Sequence, residues 1–528
     1  MPPSKRSQSS STESETLHHF KDEYRTMPTR RTFLKTIPLA GLTLAFTSAH
    51  AAPVFPASNL NLRDLYYDPV SMIKTVVTTG LRQVPEVGWL VSGLVELLWP
   101  SDRPDIWAQI RERVEQMIDK KIDDAVYSLL KAKLDGLGDV LKLYLSAIKQ
   151  GDREAIRTQF IASNTEFVST ASEFQNERYA WVLAPLCAIF TNLHMTLLRD
   201  CVLNGREWGW SSAYFASIVK QAGDTSNRYQ KYLNKVMTDA KANVDKNAPK
   251  SPGQHKTEIY AYYQPFYTKR TLLIDDFLTL LVYLDPTQHP GKVTDIPFKD
   301  VYSPPYGTAD DWDQSCANLS GIGVDVPYSR PLSSISSIYV EYFNATPRVV
   351  NVSYPAGKGP EKWRGEGRTD RYGIIADAMG GVEKQTFRFP APAEGKRYNI
   401  LAAHIRSGST PLEVKLELDD GNMVTLWSRR DLGGTGYTET VPGRMLTTLN
   451  MWSRSDYYDS DLGCIIFGFS VDTDYTPPAV RELMYVSAIK QPNLGAAYLP
   501  QSISSQLQAR RTAFWRDVTT RATRRTGS

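Results

Sequence analysis

Gln159, Glu166 and Glu173 recur every seven residues, and Glu177 follows four later. Seven residues are close to two helical turns, so the spacing predicts a polar stripe on one helix. The same stretch carries Ile156, Phe160, Phe167, Ala171 and Phe174 in a narrow apolar stripe, and the acidic row is expected on the opposite face. On a soluble helix such a row is a solvated outer face. On a helix that enters a bilayer it is too polar to meet lipid, lines a water-filled lumen and favours cations.

The next segment supplies the membrane context. Tyr179–Leu198 is about twenty residues with almost no charge, enough to cross a bilayer as one helix. Trp181, Leu183, Pro185, Leu186, Ile189, Phe190, Leu193 and Leu197 give it apolar bulk, and Pro185 removes one backbone hydrogen bond. Charged helices flank it on both sides, so it is expected inside a bundle, either as a plain core helix or as one stored for later insertion. His194 on this helix has two readings, an acid-sensitive trigger or a hydrogen-bonded core histidine. Arg199-Asp200 reads as an intrabundle ion pair fixing the helix end, with oligomer contacts as the alternative.

Other chemistries lack their residues. There is no HExxH, no GxxxxGK, no GxSxG and no CxxC, and His194, His255, His289 and His404 do not pair at metal-ligand spacing. The reading is therefore not an enzyme, with no catalytic residue, cofactor or metal. Asp456, Asp459 and Asp461 match no calcium-loop template. Formal net charge is +4, and Arg510–Arg525 carries six arginines against Asp517, so the rest of the chain is near neutral and lacks a nucleic-acid footprint. Cys187 and Cys201 lie about 21 Å apart on one helix and cannot pair. A Cys316–Cys464 bridge stays open beside free buried thiols.

The elements that hold these residues read in two blocks. From Asp68 to Leu284 the pattern is helical: one long amphipathic helix over Ile106–Leu129, a second after Gly151, the apolar helix, then Ser211–Val244 and Glu258–Leu284, with shorter pieces near Ile73 and Leu90. About seven helices around one apolar helix make a bundle. Beyond Asp285-Pro286, short β-branched runs alternate with turns: Ile335–Phe343, Arg348–Tyr354, Thr386–Phe389, Tyr398–Ile405, Leu412–Leu418, Met423–Trp427, Ile465–Val471 and Leu483–Ile489. These have strand length and spacing, so the fold class is α+β multidomain, an all-α bundle followed by an all-β domain. Three turn-rich, aromatic segments in this half are candidate receptor loops, with Trp363 and Arg364, Arg430 and Tyr437, and Tyr457 and Tyr458 as anchors.

The N-terminus reads as polar leader and then export signal. Arg30 and Arg31 precede Phe33-Leu34-Lys35, an apolar run follows over Ile37–Phe46, and Ala49-His50-Ala51 supplies the small-residue cleavage site. The paired arginines resemble a twin-arginine signal, which predicts export to the periplasm or medium. Met27 is an alternative start.

Several ordered motifs carry a family resemblance. Tyr179–Leu186, Asn192–Asp200 and Gly205–Gly209 closely resemble the central helix of the insecticidal δ-endotoxin family, the three-domain Cry toxins. Leu94–Pro100 with Trp107 resembles that family's second and third helices, and Tyr263–Phe277 with Tyr283–Pro286 its last bundle helix. The resemblance spans about Asp68–Tyr302. It is looser in the β half, where Ile335–Tyr354 and Val486–Gln491 look like the start and end of a β-prism domain, and the family's jelly-roll domain is not expected. The implied layout is leader and signal over 1–51, linker 52–66, pore-forming bundle 67–285, connection 286–331, β-prism-like receptor-binding domain 332–499 and basic tail 500–528. The implied activity is docking on a host cell-surface receptor, glycan or protein, then insertion of the hairpin made by the apolar helix and its predecessor into membrane lipid, with self-oligomerisation. A lectin-like adhesion protein with the bundle as a stalk is the alternative.

Overall fold

The computed structural model describes residues 66–308, 334–355, 369–373, 383–389, 399–453 and 462–484, apart from 84–86, 101–104, 250–256, 344, 430–432, 454–461, 473–474, 479 and 482. The helical part comprises α1 (Pro69–Leu81), α2 (Trp89–Leu98), α3 (Ile106–Ile118), α4 (Asp124–Gln150), α5 (Arg153–Phe174), α6 (Ala180–Asn204), α7 (Ser212–Lys246), α8 (Thr257–Arg270) and α9 (Asp276–Leu284). A π turn over Thr271–Asp275 joins α8 to α9 in one continuous rod.

Short acidic or hydroxyl side chains start most of these helices. Asp68, Asp105, Asp123, Asp152 and Ser211 each accept a hydrogen bond from a backbone N–H of the first turn that lacks a helical partner. One of these caps, with a left-handed residue before it, corrects the expected single helix over Ile106–Leu129. Asp119 takes a left-handed backbone (φ 52°, ψ 42°) that ends α3, and Asp123 caps a new helix that runs on to Gln150. The apolar periodicity continues through the break because both pieces face the same core, so periodicity alone could not show it.

The β half forms two antiparallel sheets among the described residues. The larger has eight strands: β1 (Val301–Tyr302), β2 (Tyr306–Gly307), β7 (Ile400–Ser407), β8 (Pro411–Leu418), β9 (Met423–Ser428), β10 (Thr435–Glu439), β11 (Arg444–Ser453) and β12 (Leu462–Val471). Its main path runs β1-β12-β11-β7-β8-β9, with β2 on β12 and β10 on β7. The smaller sheet has the order β5-β4-β3-β6, from β3 (Ser337–Phe343), β4 (Thr346–Ser353), β5 (Thr369–Gly373) and β6 (Glu383–Arg388).

Strand burial follows sheet position. β3 alternates, with Ile338, Val340 and Tyr342 inward, as a strand with one wet face should. β12 is buried from Leu462 to Ser470, so both its faces are covered, and it reads as a continuous apolar run. Tyr354 Oη, just past β4, donates to the Thr447 carbonyl of β11 at 2.9 Å, tying the small sheet to the large one. At Gly307 (φ 89°) a Cβ would lie 2.0 Å from the Gly463 carbonyl oxygen, so the β2–β12 pairing requires glycine.

Two expectations change here. The connection after Pro286 enters the sheet, because β1 and β2 both pair with β12. Leu483 and Met484 are helical rather than the start of a strand, and the rest of that run lies outside the described residues. The α+β class stands: a bundle with a central apolar helix, followed by sheets.

The two halves share a buried junction. Tyr260 and Gln264 of α8 donate to the carbonyls of Ser303 and Tyr302 at 2.9 and 2.6 Å. Gly443 N donates to the Tyr66 carbonyl at 2.7 Å. Arg444 of β11 reaches Asp276 of α9, where Lys74 of α1 also binds at 2.7 Å.

Candidate functional site

α6 is the membrane-length helix, and the bundle encloses it. Every residue from Val182 to Cys201 is buried, twenty in succession. Leu183, Leu186, Ile189, Phe190, Leu193 and Leu197 are no more than 4% exposed, and Pro185 is buried inside the helix. Trp181 is half-buried and stacks on Phe266 of α8, with ring centroids 5.6 Å apart. Phe174 of α5 stacks on Phe190 at 4.5 Å, and Phe167 stacks on His194 at 4.8 Å. Such a helix keeps its own backbone bonded in water or lipid, so its environment can change without breaking its ladder.

The polar groups of α6 decide how tightly it is held. Asn192 Nδ2 donates to the Phe277 carbonyl of α9 at 3.0 Å. Arg199 donates to the carbonyls of His289 and Gly291 at 2.6 and 3.0 Å, and to that of Tyr283 at 3.4 Å. Asp200 accepts from Gly88 N and Tyr144 Oη, both at 2.8 Å, and from Asn204 Nδ2 at 2.9 Å. Arg199 and Asp200 thus face separate partners, and the expected ion pair at the helix end is replaced by two independent clasps. They are adjacent in sequence and point about 100° apart on a helix, which sends one toward α9 and the other toward α2 and α4.

His194 is the hydrogen-bonded core histidine. Its Nδ1 lies 2.7 Å from Tyr229 Oη of α7 and its Nε2 lies 2.9 Å from Asn164 Oδ1 of α5, so both ring nitrogens are engaged. Asn164 in turn receives support from Gln221, at 3.2 Å.

The acidic row on α5 is displaced from its expected position. Gln159, Glu166 and Glu173 are half-buried on the flank of α5, beside the apolar stripe rather than opposite it. At 100° per residue they sit about 90° from the buried direction. Glu166 accepts from Thr170 Oγ1 at 3.1 Å. Glu177 is exposed and lies beyond α5, in the 3-10 turn Glu177–Tyr179. The outward face carries Thr158, Ile161, Ala162, Thr165, Val168, Ser169 and Ser172 instead, with no charge beyond Glu154 in the first turn. Ile161 and Val168 there are 40% and 42% exposed.

Of the receptor-loop anchors, Tyr437 lies in β10, half-buried, its ring 5.1 Å from that of Tyr306, so it belongs to a strand rather than a loop. Trp363, Arg364, Arg430, Tyr457 and Tyr458 lie outside the described residues, as do Arg30, Arg31, Ala49 and Ala51. Cys187 and Cys201 are free and buried, Cys464 is buried, and Cys316 lies outside the described residues. No group of three or more His, Cys, Asp or Glu that could hold a metal occurs among the described residues.

An all-α bundle sheathing one apolar helix and joined to antiparallel sheets defines an α+β fold of two parts. Residues 76–285 match the family model of the delta endotoxin N-terminal domain. The pesticidal crystal protein Cry1Ia of Bacillus thuringiensis subsp. kurstaki is 28% identical over 247 residues, 44% of this chain and 32% of that protein. Cry8Ba of Bacillus thuringiensis serovar kumamotoensis is 27% identical over 247 residues, 44% of this chain and 20% of that protein. The chain thus spans a third or less of these two relatives. Among solved structures, the insecticidal delta-endotoxin Cry8Ea1 of Bacillus thuringiensis shares the fold with TM-score 0.53 and 18% identity over 78% of this chain and 74% of that one. PirB shares it with TM-score 0.59 and 14% identity over 78% of this chain and 95% of that one.

Proposed function

We propose that this chain is a pore-forming toxin that stores α6 in water and releases it, with α5, into a target membrane. The observation that carries this reading is the helix itself: long and apolar enough to span a bilayer, with 94% of its most apolar window buried inside a bundle. The match to the delta endotoxin N-terminal domain supports it, since an ordinary core helix passes the same length test.

The geometry of α5 refines how the hairpin is arranged. Its outward face, uncharged from Thr158 to Ser172 with Glu154 at the helix start, is the face suited to lipid. The flank carrying Gln159, Glu166 and Glu173 then points sideways, toward a neighbouring helix or the lumen, and confers cation preference. Loops around Trp363, Arg364, Arg430, Tyr457 and Tyr458 are the proposed contacts to a cell-surface receptor, and Arg30 and Arg31 the proposed export signal.

Dye release from liposomes, with and without trypsin treatment, tests the reading. A toxin gives leakage. Binding or agglutination without leakage overturns it in favour of a surface-adhesion protein.

A further inference from the structure

Asn192 lies within the membrane-length helix with its hydrogen bonding incomplete. Its Nδ2 donates to the Ala188 carbonyl of its own helix at 2.8 Å and to the Phe277 carbonyl of α9 at 3.0 Å, while its Oδ1 is buried with no hydrogen-bond partner. A buried amide oxygen without a donor is costly. Thr191 and Thr196, nearby on α6, donate to the carbonyls of Ala188 and Asn192 in the same helix and need no outside acceptor.

The direction of Asn192 decides what it meets after release. Phe190 and His194 stack on Phe174 and Phe167 of α5. At 100° per residue Asn192 points about 160° from both, away from α5. When α5 and α6 leave as one hairpin, the Phe277 carbonyl stays behind with α9, and one N–H and the Oδ1 of Asn192 face lipid, where no water can replace the lost partner. The same face carries Ala188 and Thr196, one turn to either side, small residues whose spacing lets two helices approach closely. Trp181 and Arg199 lie within about 20° of Asn192 and about 27 Å apart along the axis, against a hydrocarbon core of about 30 Å, so Asn192 falls near the midplane.

We infer that this face is the seam by which α6 pairs with the α6 of a second copy of the chain in the membrane, held by reciprocal Nδ2–H···Oδ1 bonds between the two Asn192 side chains. With its Ala188 bond kept, the amide still offers one N–H and one free oxygen, a set that complements itself about a two-fold axis. This pairing rests on the release of α5 and α6 proposed above and assigns the contact between copies to one residue.

Energy transfer between donor- and acceptor-labelled full chains in liposomes tests the seam. Asn192→Leu keeps the branched shape of the side chain and removes the amide; half-maximal transfer should then need about threefold to thirtyfold more protein per lipid. Thr196→Val, which removes a hydroxyl already bonded within its own helix, should match the parent. Ala188→Cys, a small change beside Asn192, should give a disulfide-linked dimer on oxidation in the same liposomes, beyond any formed by the parent, whose Cys187 and Cys201 point about 140° and 180° from Asn192. Undiminished transfer in Asn192→Leu overturns the seam, as does the absence of an added dimer in Ala188→Cys, and either can occur while the parent still leaks dye. A parent that does not leak overturns the pore reading, and the seam falls with it.

Discussion

Arg444 Nη2 of β11 lies 2.8 and 2.9 Å from the two carboxylate oxygens of Asp276 on α9, and both side chains are 1% exposed. Burial pushes the Asp276 carboxyl up, but the Arg444 guanidinium and the Lys74 ammonium outweigh it and hold it below the usual carboxylate range. These residues join the helical and β halves at a point where water cannot substitute. Asp276→Asn leaves two cations buried without their counter-charge and should destabilise the fold by about 3–5 kcal/mol, measured by denaturant unfolding. The carboxylate's contribution is present above the ordinary carboxylate range and is lost as acid protonates it in the folded state.

Alkali acts on the same junction through different groups. Burial raises Asp300 to about 8, against the hydrogen bond from Ser470, and raises Glu439 to about 7, against that from Tyr306. Both folded values lie above the unfolded ones, so the folded state holds extra protons between about pH 4 and pH 8. Stability therefore falls as pH rises through that window and levels off above it. Melting temperature recorded from pH 5 to 9 should decline, and Asp300→Asn should flatten the decline. A parent curve that rises with pH contradicts this assignment.

Ion selectivity tests the flank of α5. Glu166→Lys and Glu173→Lys should shift the reversal potential of planar-bilayer currents toward anions. Unchanged selectivity in both variants removes these positions from the lumen. Thr165→Lys places the same charge on the outward face and should reduce insertion itself, seen as slower dye release with little change in melting temperature, because exposed sites tolerate substitution.

At His194, the bonds to Tyr229 and Asn164 make a stabilising role the expectation. His194→Leu strands a buried hydroxyl and amide, each at about 1–3 kcal/mol. Leakage by the parent should show no inflection near pH 6. An inflection that disappears in His194→Gln would restore the acid-trigger reading.

The clasps on α6 can be loosened singly. Arg199→Met removes the bonds to the carbonyls of Tyr283, His289 and Gly291 while keeping an unbranched stem. Unfolding should become easier by about 2 kcal/mol, and dye release should become faster because α6 leaves α9 more readily. Faster unfolding with unchanged leakage kinetics separates the clasp from insertion.

By itself the sequence determined the helical half and its central element. Tyr179–Leu198 could be recognised because a twenty-residue run without charge periodicity has few alternatives. β-strand existence in the second half was legible from β-branched runs, but β1, β2, β5, β10 and β11 were missed because short strands, and strands that mix polar with apolar residues, depend on partners distant in the chain. Only tertiary structure decided which direction each polar residue faces. The acidic row on α5 sits on a flank because α4, α6 and α7 fix the rotation of that helix, which a seven-residue spacing leaves free. Arg199 and Asp200 part company for the same reason, and Asp276 finds Arg444 across 168 residues, a distance over which local pattern carries no information.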